Sequence, residues 1–353
     1  MIERTTYRII DANYNRAREA LRTVEDYCRF TLNSPRFYDK AKEMRHKLSG
    51  ALSRLDYVTL LVNRDTRLDV GINRSVEGQL SRVELRDCFI AGCKRLTEAL
   101  RTIAEFVRTI DSSLADDIEN IRYAAYSFEK DVVIFSDTSN KFKHIKLYVI
   151  ITSNIPVEII NLTTKCVKNG ADCIQLRAKN IRDDDLFAIA EEFVKICKSE
   201  GVYSVINDRV DIAVASGADG IHLGRNDVPV QCAERLQLSP LIIGKTTHSL
   251  EQIRNAIKLN PTYVSLGPVF ATETKPGINP VGLNYIKESL EVLKETAIGH
   301  VAIGGITLDN IDDVLKAGAK CIAVCSAITQ SEDPAERCRA FKEKIESSHN
   351  KTD

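Results

Sequence analysis

Tyr263-Val264-Ser265-Leu266-Gly267-Pro268-Val269-Phe270 is an apolar run, and Thr272-Glu273-Thr274-Lys275-Pro276-Gly277 follows it almost at once. The run reads as a buried strand. Two hydroxyls and an ammonium group therefore sit just past a strand's C-terminal end. In a β/α barrel that edge is where the chemistry is placed. Hydroxyl donors beside a lysine point charge suit a phosphate oxyanion. Taken alone, the same residues describe a polar loop capped by its own threonines, so the neighbouring segments decide between the two readings.

Outward from this run, strand-like and helix-like stretches alternate. The other apolar runs are Leu147–Thr152, Asp172–Leu176, Tyr203–Ile206, Gly220–Leu223, Leu241–Gly244, His300–Ile306 and Cys321–Ser326. Helical spacing lies between them, as in 183–200, 250–259, 283–295 and 309–317, and three such segments end in glycine, at Gly201, Gly217 and Gly318. Eight βα units in about 200 residues count out a TIM (β/α)8 barrel. A doubly wound sheet is the competing fold, but Gly-x-Gly-x-x-Gly is absent after the first strand. The fold class expected is α/β, a TIM barrel preceded by an all-α N-terminal domain.

In a barrel, residues just past each strand share one rim. After the second strand comes Gln175-Leu176-Arg177-Ala178-Lys179, where alternation turns Gln175, Arg177 and Lys179 to one side. Two cations and an amide there suit a pyrophosphate and the edge of a heterocycle; a solvated charged loop would look the same. Asn207-Asp208 and Gly224-Arg225-Asn226-Asp227 place carboxylates after neighbouring strands. A hard divalent ion such as Mg²⁺ takes one or two carboxylates and completes its shell with phosphate oxygens and water. Taken singly, Asp208 reads first as the cap of a helix over 209–216 and Asp227 as the cap of one over 229–237. Lys245-Thr246-Thr247-His248 follows the fifth strand, Gly304-Gly305 the seventh and Cys325-Ser326 the eighth. Glycine lets backbone amides approach an anion closely, and loops after strands seven and eight often build barrel phosphate sites. Neither His222 nor His248 is assigned an acid-base role.

Residues 1–135 read as helical, with helix patterns over 13–30, 38–62, 81–110 and 114–133, and a polar, Gly-ended break at 63–71. Arg16–Val24 is echoed by Arg95–Ile103, with Glu-Ala-Leu-Arg-Thr common to both, which favours a duplicated helical hairpin. Arg22 and Arg101 stand at i,i+3 from Glu19 and Glu98, which accounts for them as ion pairs. The alternative groups both arginines with Asp65, Thr66 and Asp69 around a phosphorylated ligand. No P-loop is present. Residues 136–145 are polar and without periodicity, and are expected to be a linker to the barrel over 146–345, which ends in a polar tail at 346–353.

Composition narrows the partners. Of 353 residues, 49 are basic and 49 acidic, so no net field favours nucleic acid or an anionic membrane. Tryptophan is absent, which weakens a stacking platform for single strands. The N-terminus lacks a signal-peptide core, and no run reaches the roughly 20 apolar residues that span a bilayer. The ten cysteines are scattered with no Cys-x-x-Cys, as expected of reduced thiols. A cytoplasmic protein acting on small molecules is expected. Its oligomeric state is not legible, and a homo-oligomer is compatible with the chain.

Seven motifs occur in order: Gln-Leu-Arg-x-Lys, Asn-Asp-Arg, Gly-x-His-Leu-Gly-x-x-Asp, Ile-Gly-x-x-Thr-His, Gly-Pro-x-Phe-x-Thr-x-Thr-Lys, Ile-Gly-Gly-Ile and Ser-Ala-Ile. Together they resemble thiamine-phosphate synthase, over residues from about 146 to 345. The resemblance implies a transferase joining a diphosphorylated hydroxymethylpyrimidine to a thiazole phosphate. It implies that Gln175, Leu176, Arg177, Ala178, Lys179, Asn207, Thr246 and Lys275 hold the pyrimidine diphosphate, and that Asp208 and Asp227 hold Mg²⁺. Thr272, Glu273, Thr274, Gly305, Cys325 and Ser326 would hold the thiazole phosphate, with Arg177, Lys179, Lys275 and Thr246 assisting the chemistry. Thr246 stands where serine is usual, Lys245 where an apolar residue is usual, and Cys325 replaces an aliphatic one. The N-terminal third resembles a helical domain fused ahead of some such synthases, and implies phosphorylation of hydroxymethylpyrimidine phosphate. A thiazole tautomerase on the same barrel would not need the cations and carboxylates. A non-catalytic regulator would not need so complete a rim.

Overall fold

The computed structural model describes residues 2–65, 81–272, 277 and 279–349. The chain divides into two compact units, Met1–Val133 and Ile134–Asp353. The first is all helical. Helix α1 (Ile2–Asp26) runs on into a π-helical turn, Tyr27–Thr31. Helix α2 (Pro35–Leu52) starts at Ser34, whose hydroxyl accepts from Phe37 N, with proline at the first helical position. Helix α3 (Tyr57–Val62) starts at Asp56, which accepts from Thr59 N. The helix expected over 38–62 is therefore two. An aspartate binds the backbone at a helix start better than it tolerates a helix interior.

Helix α4 (Leu85–Val107) and, as far as Val133, helix α5 (Ser112–Lys143) complete the unit. The two echoed segments lie on α1 and α4, which pack along each other. A Cβ added at Gly92 would lie 3.1 Å from Val24 Cγ2, so the glycine permits the close approach. Equivalent positions are buried in both copies: Ala17 and Leu96, Ala20 and Ala99, Leu21 and Leu100, Val24 and Ile103. Thr23 and Thr102 make the same bond, each donating to the glutamate carbonyl four residues back.

The second unit is a closed barrel of eight parallel strands in sequence order. They are β1 (Leu147–Ile151), β2 (Cys173–Leu176), β3 (Tyr203–Asn207), β4 (Gly220–Leu223), β5 (Ile242–Thr247), β6 (Tyr263–Leu266), β7 (Gly299–Ile303) and β8 (Ile322–Val324). Between them come α6 (Pro156–Val167), α7 (Asp183–Ser199), α8 (Val210–Ala215), α9 (Val230–Leu236), α10 (Leu250–Leu259), α11 (Gly282–Leu293) and α12 (Ile311–Lys316). Helices α13 (Ser326–Thr329) and α14 (Pro334–His349) follow β8. The expected TIM barrel is observed. Gly201, Gly217 and Gly318 have φ of +69°, +69° and +100°, the left-handed conformation that ends a helix at least cost on glycine.

The pleat sorts side chains into two layers. Leu147, Val149 and Ile151 pack outward against the helices, whereas Tyr148, Ile150, Cys173, Val205, Ile242, Tyr263 and Val301 fill the interior. All ten cysteines are unpaired thiols. None of the described helices is long and apolar enough to cross a membrane.

Residues 136–143, read as an aperiodic linker, are instead the last turns of α5. Ser136, Thr138, Ser139 and Phe142 are buried. Phe142 stacks on Tyr263 with ring centroids 4.4 Å apart and planes 6° apart. The hydroxyls of Thr138 and Thr262 lie 3.3 Å apart, and Thr138 also donates to Phe135 O. Short hydroxyl side chains can be buried in this way without adding to an apolar stripe, so the helix was invisible to periodicity. Gly299 makes room for Phe142: an added Cβ would lie 2.4 Å from its Cδ1. Gly299→Ala is therefore expected to destabilise the barrel by about 1–3 kcal/mol through overpacking. The measurement is the chemical-denaturation midpoint, and an unchanged midpoint would refute the contact's role.

Candidate active site

Strand ends from around the barrel converge on one cavity of about 120 Å³. Gln175, Arg177, Asn207, Thr246, Thr272, Gly305, Cys325 and Ser326 all line it, as do Tyr148, His222, His248 and Tyr263. The pleat turns Gln175 and Arg177 inward and sends Leu176 and Ala178 the other way, into the apolar layer beneath the helices. The side chains of Leu176 and Ala178, expected at the ligand, therefore serve packing. Glu273, Thr274 and Lys275 lie outside the described residues, as do Thr66 and Asp69.

Arg177 Nε is buried and finds no hydrogen-bond partner among the described residues. A buried guanidinium donor left over in a cavity wall is costly unless an acceptor arrives. Gly304 and Gly305 have φ of +105° and +64°. A Cβ on Gly305 would lie 2.4 Å from Ala271 O, so only glycine lets the turn after β7 lie against the β6 loop.

Beside the cavity, Lys179, Asp208 and Asp227 form one cluster. Lys179 Nζ lies 3.4 Å from Asp208 Oδ2. A Cβ added at Gly224 would lie 2.9 Å from Asp227 Oδ2 and 4.0 Å from Asp208 Oδ1, so the carboxyls share a small space next to a glycine. Burial, then the neighbouring Asp227 carboxyl, push Asp208 above the usual carboxylate range. Burial acts on Asp227 in the same direction, but its bonds to Asp208 and Gly224 N–H, with Lys179 and Lys245 nearby, hold it below that range. Asp208 also sits at φ +64°, the left-handed region, a conformation uncommon outside glycine but tolerated by aspartate. Neither carboxylate caps a helix. Arg209 and Pro229 occupy the N-cap positions of α8 and α9, with no side-chain cap bond at either.

Residues 147–328, just over half of the chain, match the family profile described as thiamine monophosphate synthase. The chain belongs to the thiamine-phosphate synthase family. It is 36% identical to the thiamine-phosphate synthase of Prochlorococcus marinus (strain MIT 9313) over 333 residues, 93% of this chain and 92% of that one. With the thiamine-phosphate synthase of Rhodopirellula baltica the identity is 34% over 350 residues, 97% and 93% of the two chains. Residues 8–131 match the ThiD2 family. Among solved structures, the thiamine phosphate pyrophosphorylase from Pyrococcus furiosus superposes with a TM-score of 0.53 at 33% identity, covering 60% of this chain and 98% of that one. Like the thiamine-phosphate synthases it matches, the chain is an enzyme.

The crowding of Asp208 and Asp227 beside Gly224 bears on whether a divalent cation suits this family member. Two carboxylates crowded into one small space repel each other, a hard cation between them relieves that repulsion, and carboxylate oxygens are the donors such a cation prefers. Asp208 and Asp227 fit that role. Lys245, whose place in a strand concealed any role, faces away from the cavity. Its Nζ donates to Gly224 O at 2.6 Å, and Gly224 N donates to Asp227 Oδ2 at 2.6 Å. It thereby ties the Asp227 loop to β5. Tyr148 and Tyr263 also went unread, because an aromatic in a strand looks like core until the barrel closes around its hydroxyl. In the helical unit, Arg22 pairs with Glu25, and Arg101 with Glu105 and Glu119. The i,i+3 partners expected for them, Glu19 and Glu98, are not the ones observed.

Lys245→Met keeps the aliphatic stem and removes the bond to Gly224. It is expected to weaken Mg²⁺ binding about tenfold, the usual scale for a group that orients a ligand. Isothermal titration calorimetry measures this, and unchanged affinity would rule the tie out.

Proposed function

We propose that the rim cavity joins 4-amino-2-methyl-5-(diphosphooxymethyl)pyrimidine to a thiazole phosphate, giving thiamine phosphate and pyrophosphate. The observation that carries this reading is the meeting of Gln175, Arg177, Asn207, Thr246, Thr272, Gly305, Cys325 and Ser326 in one cavity wall. The bond between the pyrimidine methylene carbon and the diphosphate oxygen breaks, and its electron pair leaves on pyrophosphate. The thiazole nitrogen lone pair then forms the new bond to that carbon. This nitrogen carries no proton, so no general base is required.

Gln175, Asn207 and Thr246 orient the pyrimidine diphosphate, while Arg177, Lys179 and Lys275 meet the negative charge that grows on the departing group. Donors aimed at developing charge are usually the largest catalytic contribution. Thr272, Glu273, Thr274, Gly305, Cys325 and Ser326 hold the thiazole phosphate, Gly305 and Cys325 through the backbone. Asp208 and Asp227 would hold Mg²⁺, which supplies further charge neutralisation at the diphosphate. Lys179 Nζ, 3.4 Å from Asp208 Oδ2, would bring its charge to the same diphosphate.

The N-terminal unit is proposed to phosphorylate hydroxymethylpyrimidine phosphate, making the substrate of the barrel; its match to the ThiD2 family supports this.

Pyrophosphate release by the full chain should require both substrates and Mg²⁺. Arg177→Ala or Lys275→Ala should slow it about 10²–10³-fold. Unaltered turnover in both variants would sink the assignment. With ATP, the full chain should also make thiamine phosphate from the pyrimidine monophosphate and thiazole phosphate. Product only when the diphosphate is supplied would leave the helical unit without the kinase role.

A further inference from the structure

Five buried side chains from five strands form a file of hydrogen bonds across the barrel. Gln175 Nε2 donates to the Tyr148 hydroxyl at 3.0 Å, and the Tyr148 and Tyr263 hydroxyls lie 2.9 Å apart. The Tyr263 hydroxyl is 2.9 Å from His222 Nδ1, and His222 Nε2 is 2.9 Å from Thr246 Oγ1. None of the five is more than 9% exposed. All five line the cavity proposed to bind substrate, with Gln175 and Thr246 at the two ends of the file.

Counting protons gives the file a direction. Each hydroxyl has one proton and a neutral imidazole has one N–H. Burial raises both tyrosines well above the ordinary phenol range, so both keep their protons. With the Gln175 amide donating, Tyr148 passes its proton to Tyr263 and Tyr263 passes its own to His222 Nδ1. The imidazole N–H is then at Nε2 and points at Thr246. The Thr246 proton is left for the cavity, and so is the Gln175 carbonyl. Turning the amide over reverses every bond in the file, so that Thr246 spends its proton on His222 while Gln175 shows N–H to the cavity. A mixed arrangement strands a buried donor or sets two protons face to face, a larger loss than the bond itself is worth.

We propose that Tyr148, Tyr263 and His222 are positioning residues that tie the hydrogen-bonding sense of Gln175 to that of Thr246. The cavity then reads its heterocycle as one pattern, an amine donor toward Gln175 and an acceptor atom toward Thr246. This rests on the synthase reading above, and identifies which buried groups set specificity for the pyrimidine rather than for the thiazole.

Tyr263→Phe keeps the ring that stacks on Phe142 and removes the central hydroxyl. The KM for the pyrimidine diphosphate should rise about tenfold, the scale of one well-made hydrogen bond, while that for the thiazole phosphate stays within about twofold. In a Thr246→Val background the same substitution should change the pyrimidine KM by only about twofold, because coupled groups are not additive. Tyr148→Phe is the second variant, read in the same way should Tyr263→Phe fold poorly. A merely structural role would move both KM values together and add fully in the double variant; either result, or no change in either KM, overturns the proposal. A wild-type chain that releases no pyrophosphate from the two substrates overturns the synthase reading and this inference with it, whereas an active wild type with insensitive variants overturns the inference alone.

Discussion

A closed barrel must fill its own axis, and in this one Tyr263 fills it. Its ring stacks on Phe142 and crosses the space that a side chain on Gly244 would need: an added Cβ there would lie 2.2 Å from Tyr263 Cζ. Its hydroxyl, fully buried, must find partners, and it finds Tyr148 and His222. One requirement, that a buried polar atom be satisfied, thus links the interior of the barrel to Gln175 and Thr246 at the mouth. The core and the site are not separate layers here. The packing that closes the barrel also decides which way the cavity's donors face.

The pleat is the second constraint. Because neighbouring residues on a strand face opposite ways, Arg177 can line the cavity only if Leu176 and Ala178 are packed outside it. The same alternation on β5 sends Thr246 inward and Lys245 outward. A lysine facing the helix layer would be an oddity if its ammonium did not reach the Gly224 carbonyl. From there it braces the loop that carries Asp227, at the cost of partial burial that lowers its own basicity.

The helical unit is built on the contact of two similar helices. Small residues such as Ala20 and Gly92 let α1 and α4 approach closely, and the pattern Glu-Ala-Leu-Arg-Thr supplies alanine and leucine to the buried face of each while leaving glutamate outside. Arg101 pairs with Glu105 at the surface, where such pairs contribute little to stability, whereas the partner of Arg22, Glu25, is buried.

The sequence by itself determined the barrel, its eight strands and the side chains offered at its rim. Strand and helix periods are local properties, and glycines such as Gly201 and Gly318 mark helix ends through their own backbone freedom. It also placed Gln175, Arg177, Asn207 and Thr246 correctly at strand ends, because position along a strand fixes height in a parallel barrel. Only the tertiary structure decided that residues 136–143 are helical, with Ser136, Thr138, Ser139 and Phe142 buried, since small hydroxyl residues can be packed away without forming an apolar stripe. It alone brought the Asp208 and Asp227 carboxyls into one small space and formed the file of hydrogen bonds from Gln175 to Thr246. Those depend on distances between strands far apart in the chain, which no local pattern encodes.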